Sequence, residues 1–153
     1  MSSPVIQAAI RLSNFYVTQL EFRIDGAERT KVENQDELNI ELTHTVGLPQ
    51  EQQQSFIVLF DLKLTDAKAS SLSLALKAVA EFTTNQPVDE GFGTSPLVQI
   101  NAPAIAFPFL RSYVHTVTMH SGAPGIILPA MNFKESKKEA IDPQSPNPSL
   151  PTD

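Results

Sequence analysis

Asn101 to Phe133 reads NAPAIAFPFLRSYVHTVTMHSGAPGIILPAMNF. It joins a proline-anchored apolar entry, a segment of helix length, a Gly-Pro turn, a short apolar run and a closing Asn-Phe. Pro108 suits a first helical turn, where a missing N–H costs nothing. From Pro108 to His120 the spacing sets Phe109, Tyr113 and Val117 four residues apart, with Leu110 and Val114 alongside. Val114, Thr116, Val117 and Thr118 lower the intrinsic helix propensity. Length, the start signal and the stop at Gly122 still predict a helix. Ala123-Pro124-Gly125 turns the chain, and a short second helix is expected within Asn132 to Ile141.

The sequence before this stretch alternates with period two. Ile10 to Ile24 carries Ile10, Leu12, Tyr16, Leu20, Phe22 and Ile24 at even positions, with Phe15 and Val17 as apolar exceptions at odd ones. Such alternation predicts a long half-buried strand, closed by a turn at Asp25-Gly26. Leu38, Ile40 and Leu42 mark a second strand, ended by Gly47-Leu48-Pro49. Phe56 to Leu64 is a third, with Phe56, Val58, Phe60, Leu62 and Leu64 on one face and Ile57 and Leu59 on the other. Leu72 to Phe82 is a fourth; its Ala and Leu content also suits a helix, but alternation favours a strand. Four strands in sequence suggest an antiparallel meander, buried on one face and solvated on the other. The fold class expected is therefore α+β: a four-stranded antiparallel sheet with one long and one short helix C-terminal to it. Between Asn85 and Pro103, two glycines and several prolines break the chain into loop and short helical pieces. Residues 1–133 read as a single domain; 134–153 read as a helix remnant and a tail. Asp142 to Asp153 holds four of the twelve prolines and one large apolar residue, Leu150, a composition expected to stay disordered.

Composition narrows the function. Among 153 residues there is no cysteine, which removes disulfides, thiolate zinc sites and thiol nucleophiles. A net charge of −6 argues against nucleic acid; the one basic cluster, Lys134, Lys137 and Lys138, is interrupted by Glu135 and Glu139. The N-terminus lacks the basic start of a secretory signal, and no apolar run approaches a membrane span. A soluble, cytoplasmic protein with no membrane insertion is expected.

No catalytic constellation emerges. His115 and His120 lie about 140° apart on a helix, so they do not share a metal-binding face, and His44 stands alone on the second strand. Glu90-Gly91-Phe92-Gly93-Thr94-Ser95 lacks the third glycine and the Gly-Lys-Ser/Thr of a phosphate loop and reads as a turn. No serine sits in a Gly-x-Ser-x-Gly elbow. Asp36-Glu37 and Asp89-Glu90 fall in predicted loops. The expectation is no cofactor, no metal, no catalytic residue and no enzymatic activity. What remains is a surplus of apolar side chains: Ile57 and Leu59, and likewise Phe15 and Val17, opposite their strands' core sets. Such surplus marks either an oligomer interface or a groove left open for extended polypeptide.

Phe107-Pro108-Phe109-Leu110-Arg111-Ser112 and Pro129-Ala130-Met131-Asn132-Phe133 resemble the F-P-[FY]-x-R-x segment and the P-x-N-F close of the SecB family of protein-export chaperones. Phe15-Tyr16 to Phe22 and Glu37 to Leu42 resemble it in the same register, and the likeness spans Ala8 to Phe133. The resemblance implies an α+β subunit, a homotetramer built as a dimer of dimers, and an ATP-independent holdase that binds unfolded preproteins. On matching positions it implies a client groove at Leu38, Ile40, Leu42, Leu72, Leu74 and Phe109. Family members dock the motor SecA through acidic residues on the first and a later strand. Here Gln19, Arg23 and Ala75 stand at those positions, so Glu21, Asp25 and Glu28 are the candidates for a shifted docking surface. A related class of SecB-like chaperones shields antitoxins of toxin–antitoxin pairs, which makes an antitoxin the alternative partner. A non-chaperone oligomeric adaptor is a further alternative.

Overall fold

The computed structural model describes residues 9–25, 38–50, 53–66, 72–122 and 124–136. Four antiparallel strands, β1 (Ile10–Ile24), β2 (Leu38–Gly47), β3 (Ser55–Asp66) and β4 (Leu72–Thr84), precede three helices. These are α1 (Glu90–Gly93), α2 (Ala102–His120) and α3 (Phe133–Ser136). The sheet order is β1-β4-β3-β2. The expected simple meander is thus corrected: β2, β3 and β4 follow one another, but β1 pairs with β4 instead of β2. Alternation tells which face a strand buries; it does not encode the neighbour. Thirteen residues separate Ile24 from Leu38. Their reach of roughly 3.3 Å each exceeds the three interstrand gaps between the two sheet edges.

The even positions of β3 and β4 form the inner face. Val58, Phe60, Leu62, Leu64, Leu74, Leu76, Ala80 and Phe82 are at most 1% exposed. The Phe56 and Phe82 rings stack at 5.0 Å and 4°. α2 packs over β1 and β4, and Ala102 and Ala106 on the helix and Ala78 and Ala80 on β4 are all buried in this core. Residues this small let backbone approach backbone closely.

β1 does not alternate as its even positions suggested. Its register with β4 shifts between Leu12 and Asn14 and again between Val17 and Gln19. Each shift is a β-bulge, which inserts one residue and flips the parity of the side chains. Ile10 and Leu12 pair with Thr84 and Phe82, Phe15 and Val17 with Ala80 and Ala78, and Leu20, Phe22 and Ile24 with Leu76, Leu74 and Leu72. All seven therefore face the same way. Phe15 and Val17 are not on the opposite face, as expected, but pack against the core, while Tyr16 points outward and is 40% exposed. The inserted residues explain the bulges chemically. Ser13 donates its hydroxyl to the Glu81 carbonyl at 3.0 Å, and Thr18 donates to the Lys77 carbonyl at 3.2 Å. Each hydroxyl occupies a carbonyl of β4 where the ladder is interrupted.

α2 begins at Ala102, six residues before the expected Pro108. A π-helical turn, Leu97–Asn101, leads into it, and Pro103 is the proline in the first turn. Pro108 lies inside the helix. It is tolerated because both it and Ala104, whose carbonyl loses its N–H partner, are exposed to water. The inner face of α2 is Ala106, Phe107, Leu110, Val114 and Thr118, not the Phe109 line. The helix ends as expected at Gly122, whose φ of 87° suits a residue without a Cβ. Glu90 to Gly93, read as a turn, is the short helix α1, capped by the Asp89 carboxylate accepting from the Phe92 N–H at 2.7 Å.

The chain from Pro124 to Asn132 has no regular secondary structure and closes the core. Ile126 and Leu128 are 1% exposed. Thr118 holds the near end: its hydroxyl donates to the Val114 carbonyl at 2.8 Å and accepts from the Ile126 N–H at 2.8 Å. Phe133 holds the far end, with its ring 5.7 Å from Phe107, 6.5 Å from Phe60 and 5.5 Å from His44. Thr118→Val keeps the shape but leaves the buried Ile126 N–H unpaired. It is expected to cost about 1–3 kcal/mol, and hydrogen exchange should show the loss concentrated in residues 124–132. Of the expected second helix, Phe133–Ser136 is observed; its continuation to Ile141 lies outside the described residues, as do Gly26, Asp36-Glu37 and the proline-rich tail.

Candidate functional site

The residues expected to form one groove fall at three separate places. Leu38, Ile40 and Leu42 line the inner face of β2, the edge strand, and are partly buried against the core. Leu72 and Leu74 are 1% exposed and sealed inside the protomer. A client reaches them only if the layer above them moves. Phe109 lies on α2 and is 52% exposed, with its ring 6.0 Å from that of Phe15 on the opposite sheet edge.

Phe109 belongs to a larger apolar surface. Ile105 is 42% and Met119 51% exposed, and Ser112 and Thr116 between them are exposed as well. Positions 105, 109, 112, 116 and 119 repeat at spacings of four and three, the seam of a helix that packs on another helix. Beside this seam lies the first bulge of β1. A hollow of about 530 Å³ opens there between Leu12, Asn14 and Phe15 on one side and Phe109, Tyr113 and Thr116 on the other. Ile105 escaped the sequence reading because starting the helix at Pro108 cut the seam, and Met119, inside the expected helix, was passed over; the spacing itself was legible.

Polar groups around the core serve structure. His44 faces inward on β2, and its Nε2–H donates to the Gln99 carbonyl of the π turn at 3.2 Å, since a carbonyl only accepts. Gln99 in turn donates its side-chain amide to the Gly93 carbonyl at 2.7 Å. Burial pushes the His44 pKa below its ordinary 6.5, and the bond to Gln99 only partly offsets this. Below that value the unfolded chain takes up a proton that the folded chain resists. Stability is therefore full above pH 6.5 and falls as the pH drops through the window beneath it. Urea unfolding at pH 7.5 and pH 5.5 is expected to show that loss, and His44→Gln to reduce it. His115 lies on α2, with Gly125 fitted so closely over its ring that a Cβ there has no room; His120 is exposed at the helix end. Among the described residues no group of His, Asp or Glu is arranged to hold a metal ion, and no helix is long and apolar enough to cross a membrane.

The sheet's other face carries the docking candidates. Glu21 pairs with Ala75, Gln19 with Lys77 and Arg23 with Ser73. The three positions at which the resemblance expects acids thus flank Glu21 in successive rows. Glu21 and Asp25 are exposed; Glu28 lies outside the described residues. Lys63 and Lys77 share this face with Glu41 and Asp61, so the surface is mixed in charge. Farther along, Leu59 is 39% exposed beside Val79 and Tyr16. Partial desolvation and the adjacent Glu81 carboxylate hold the Tyr16 phenol above its ordinary pKa of 10.0.

Comparison with known proteins fits this architecture. The family described as preprotein translocase subunit SecB matches residues 5–140. The protein-export protein SecB of Paramagnetospirillum magneticum is 31% identical over 126 residues, covering 78% of this chain and 77% of the relative. That of Granulibacter bethesdensis is 27% identical over 128 residues, 77% of this chain and 74% of the relative. An uncharacterised protein of Methanocaldococcus jannaschii is 23% identical over 146 residues, 90% of this chain and 93% of its own length. Among solved structures, the Mycobacterium tuberculosis Rv1957 SecB-like chaperone, bound to a ChAD peptide from the HigA1 antitoxin, superposes with a TM-score of 0.63 at 14% identity. The overlap covers 81% of this chain and 88% of that one. With the inner-face sheet, the long helix and the closing segment Pro129 to Phe133 on one continuous match, the chain belongs to the SecB family of chaperones.

Proposed function

We propose that this protein is an ATP-independent holdase, assembled in the cytoplasm as a homotetrameric dimer of dimers, that keeps preproteins unfolded for export. The observation that carries the reading is the free apolar seam of α2 with its hollow against β1. Ile105, Phe109 and Met119 stand 42–52% exposed, more than a solitary soluble domain gains by leaving wet. The seam's spacing suits packing between copies of the chain. The β2 trio at the other edge is then the surface left for clients. Burial of client side chains there contributes about 25 cal/mol per Å² of apolar area, before association costs. Several such edges on one oligomer hold a long client through effective concentration, and a client held unfolded is kept from folding by mass action.

Export is supported by the relative that is 31% identical, a protein-export SecB. The second reading, an antitoxin chaperone, is supported by the neighbour solved with an antitoxin peptide and by the missing acids at Gln19, Arg23 and Ala75. If SecA is the partner, Glu21 and Asp25 are the acids we propose for its docking.

The test is the refolding of a slow-folding preprotein without nucleotide. Stoichiometric chaperone is expected to slow it markedly, and an unassisted rate in its presence sinks the proposal. Pull-down with SecA and with an antitoxin C-terminal peptide then decides between the two partners. A chain that oligomerises but ignores the unfolded preprotein is an adaptor instead.

A further inference from the structure

At the end of the sheet where β2 stops lies a hollow that neither the α2 seam nor the β2 trio uses. Its volume is about 440 Å³, within the range of small-molecule sites. Strand register builds it. Gly47, Ile57 and Glu81 stand side by side on β2, β3 and β4, and Ser55 and Thr83 face each other in the row beyond. Gly47 brings no side chain to its row; a Cβ there would stand 2.7 Å from Ile57 Cγ1. Leu48 and Pro49 continue past the end of β2 and form one wall. Leu48 leans on α1, where Gly93 makes room for its methyl groups by having no Cβ of its own. That wall is therefore set against a helix. On the other side Ser13 borders the hollow, with its hydroxyl already committed to the Glu81 carbonyl at 3.0 Å.

Among the described residues, Glu81 is the one ionisable group that lines this hollow. It is half-buried. Its carboxylate accepts from the Tyr16 hydroxyl, which leaves most of its lone pairs unused. The nearby cations belong to other rows: Arg11 stands opposite Thr83, and Lys77 lies two rows back, opposite Gln19 and Asp61. A carboxylate set among Leu48, Pro49 and Ile57 is partly stripped of water. A cation brought to it restores the interaction that burial removed. The same three side chains cover whatever apolar body carries that cation.

We propose that this hollow binds a small organic amine, with one protonated amino group on a compact apolar or aromatic body. The ammonium group meets Glu81, and the body lies over Ile57 against Leu48 and Pro49. An anion of the same shape meets like charge, and a neutral molecule leaves the desolvated carboxylate unpaired. The lining is confined to the last rows of the sheet and the two residues after β2, which suits a discrete molecule. The site shares no residue with the α2 seam or the β2 trio, so it stands or falls independently of the chaperone reading.

The probes are phenethylamine, phenethyl alcohol and hydrocinnamate, similar in size and different in charge, each titrated into the full chain. Amide chemical shifts locate the binding and give the affinity. The amine is expected to move the amides of Ile57, Glu81 and Thr83. It should bind at least about tenfold tighter than the alcohol, and hydrocinnamate more weakly than either. Glu81→Gln, a near-isostere, should erase the preference for the amine while leaving the apolar walls in place. Ile57→Lys sets an ammonium group directly across from Glu81 and should abolish amine binding. Circular dichroism checks that each variant is folded. The comparison of the three probes on the wild-type chain stands even if a variant proves unstable. Equal affinity for amine and alcohol, an undiminished preference in folded Glu81→Gln, or shifts confined to the hollow between β1 and α2 overturns the site.

Discussion

Phe109→Asp is expected to break the oligomer, or to lower client affinity at least about tenfold, while leaving the protomer folded. The asymmetry follows from where the ring sits. At 52% exposure it contributes little to the protomer's own core, and a surface substitution of this kind changes stability by about 0.5 kcal/mol. Against a second helix or a client chain, the aspartate becomes a buried charge without a partner. That costs several kcal/mol, roughly three when one member of a close contact is replaced this way. Phe15, the ring 6.0 Å away, loses its neighbour in the same step. Light scattering measures the assembly, and anisotropy with an unfolded preprotein measures the client. An unchanged mass with unchanged affinity removes Phe109 and the α2 seam from the working surface. Unfolding by circular dichroism separates this from simple misfolding.

Phe82→Ala should show the reverse pattern, with a large loss of stability. Phe82 is fully buried, stacked at 5.0 Å on Phe56, whose ring in turn meets Phe92 of α1 at 6.4 Å. Removing it leaves a cavity in the middle strands and unties the link from sheet to α1. The expected cost is about 3–5 kcal/mol. Domains of this size are stable by about 5–15 kcal/mol in all. The melting temperature should fall by roughly 10 °C. A change below about 1 kcal/mol would mean that the inner face is not packed as described.

The inner faces of β2, β3 and β4 were legible because period two maps directly onto one side of a pleat. β1 was legible at its ends only. Its middle looked two-sided because Phe15 and Val17 broke the parity, and no pattern of apolar residues announces a bulge. Ser13 and Thr18 were the available signal: two hydroxyl residues, each at the point where parity changes. α2 was found but started late, because Pro108 resembles a first-turn proline until one sees that Pro103 holds that place. Leu72 and Leu74 illustrate the limit on site prediction. A family pattern places them in a groove, yet the closed protomer exposes 1% of each, so access to them depends on motion or assembly.

The residues alone determined the class of this protein: four strands, then a long helix, then a proline-marked close. Those features are local, and side-chain spacing along the chain is enough to specify them. Which strand stands beside β1 and which side of α2 stays wet were decided only in three dimensions. Each depends on contacts between residues far apart in sequence, where periodicity carries no information and packing alone selects the partner.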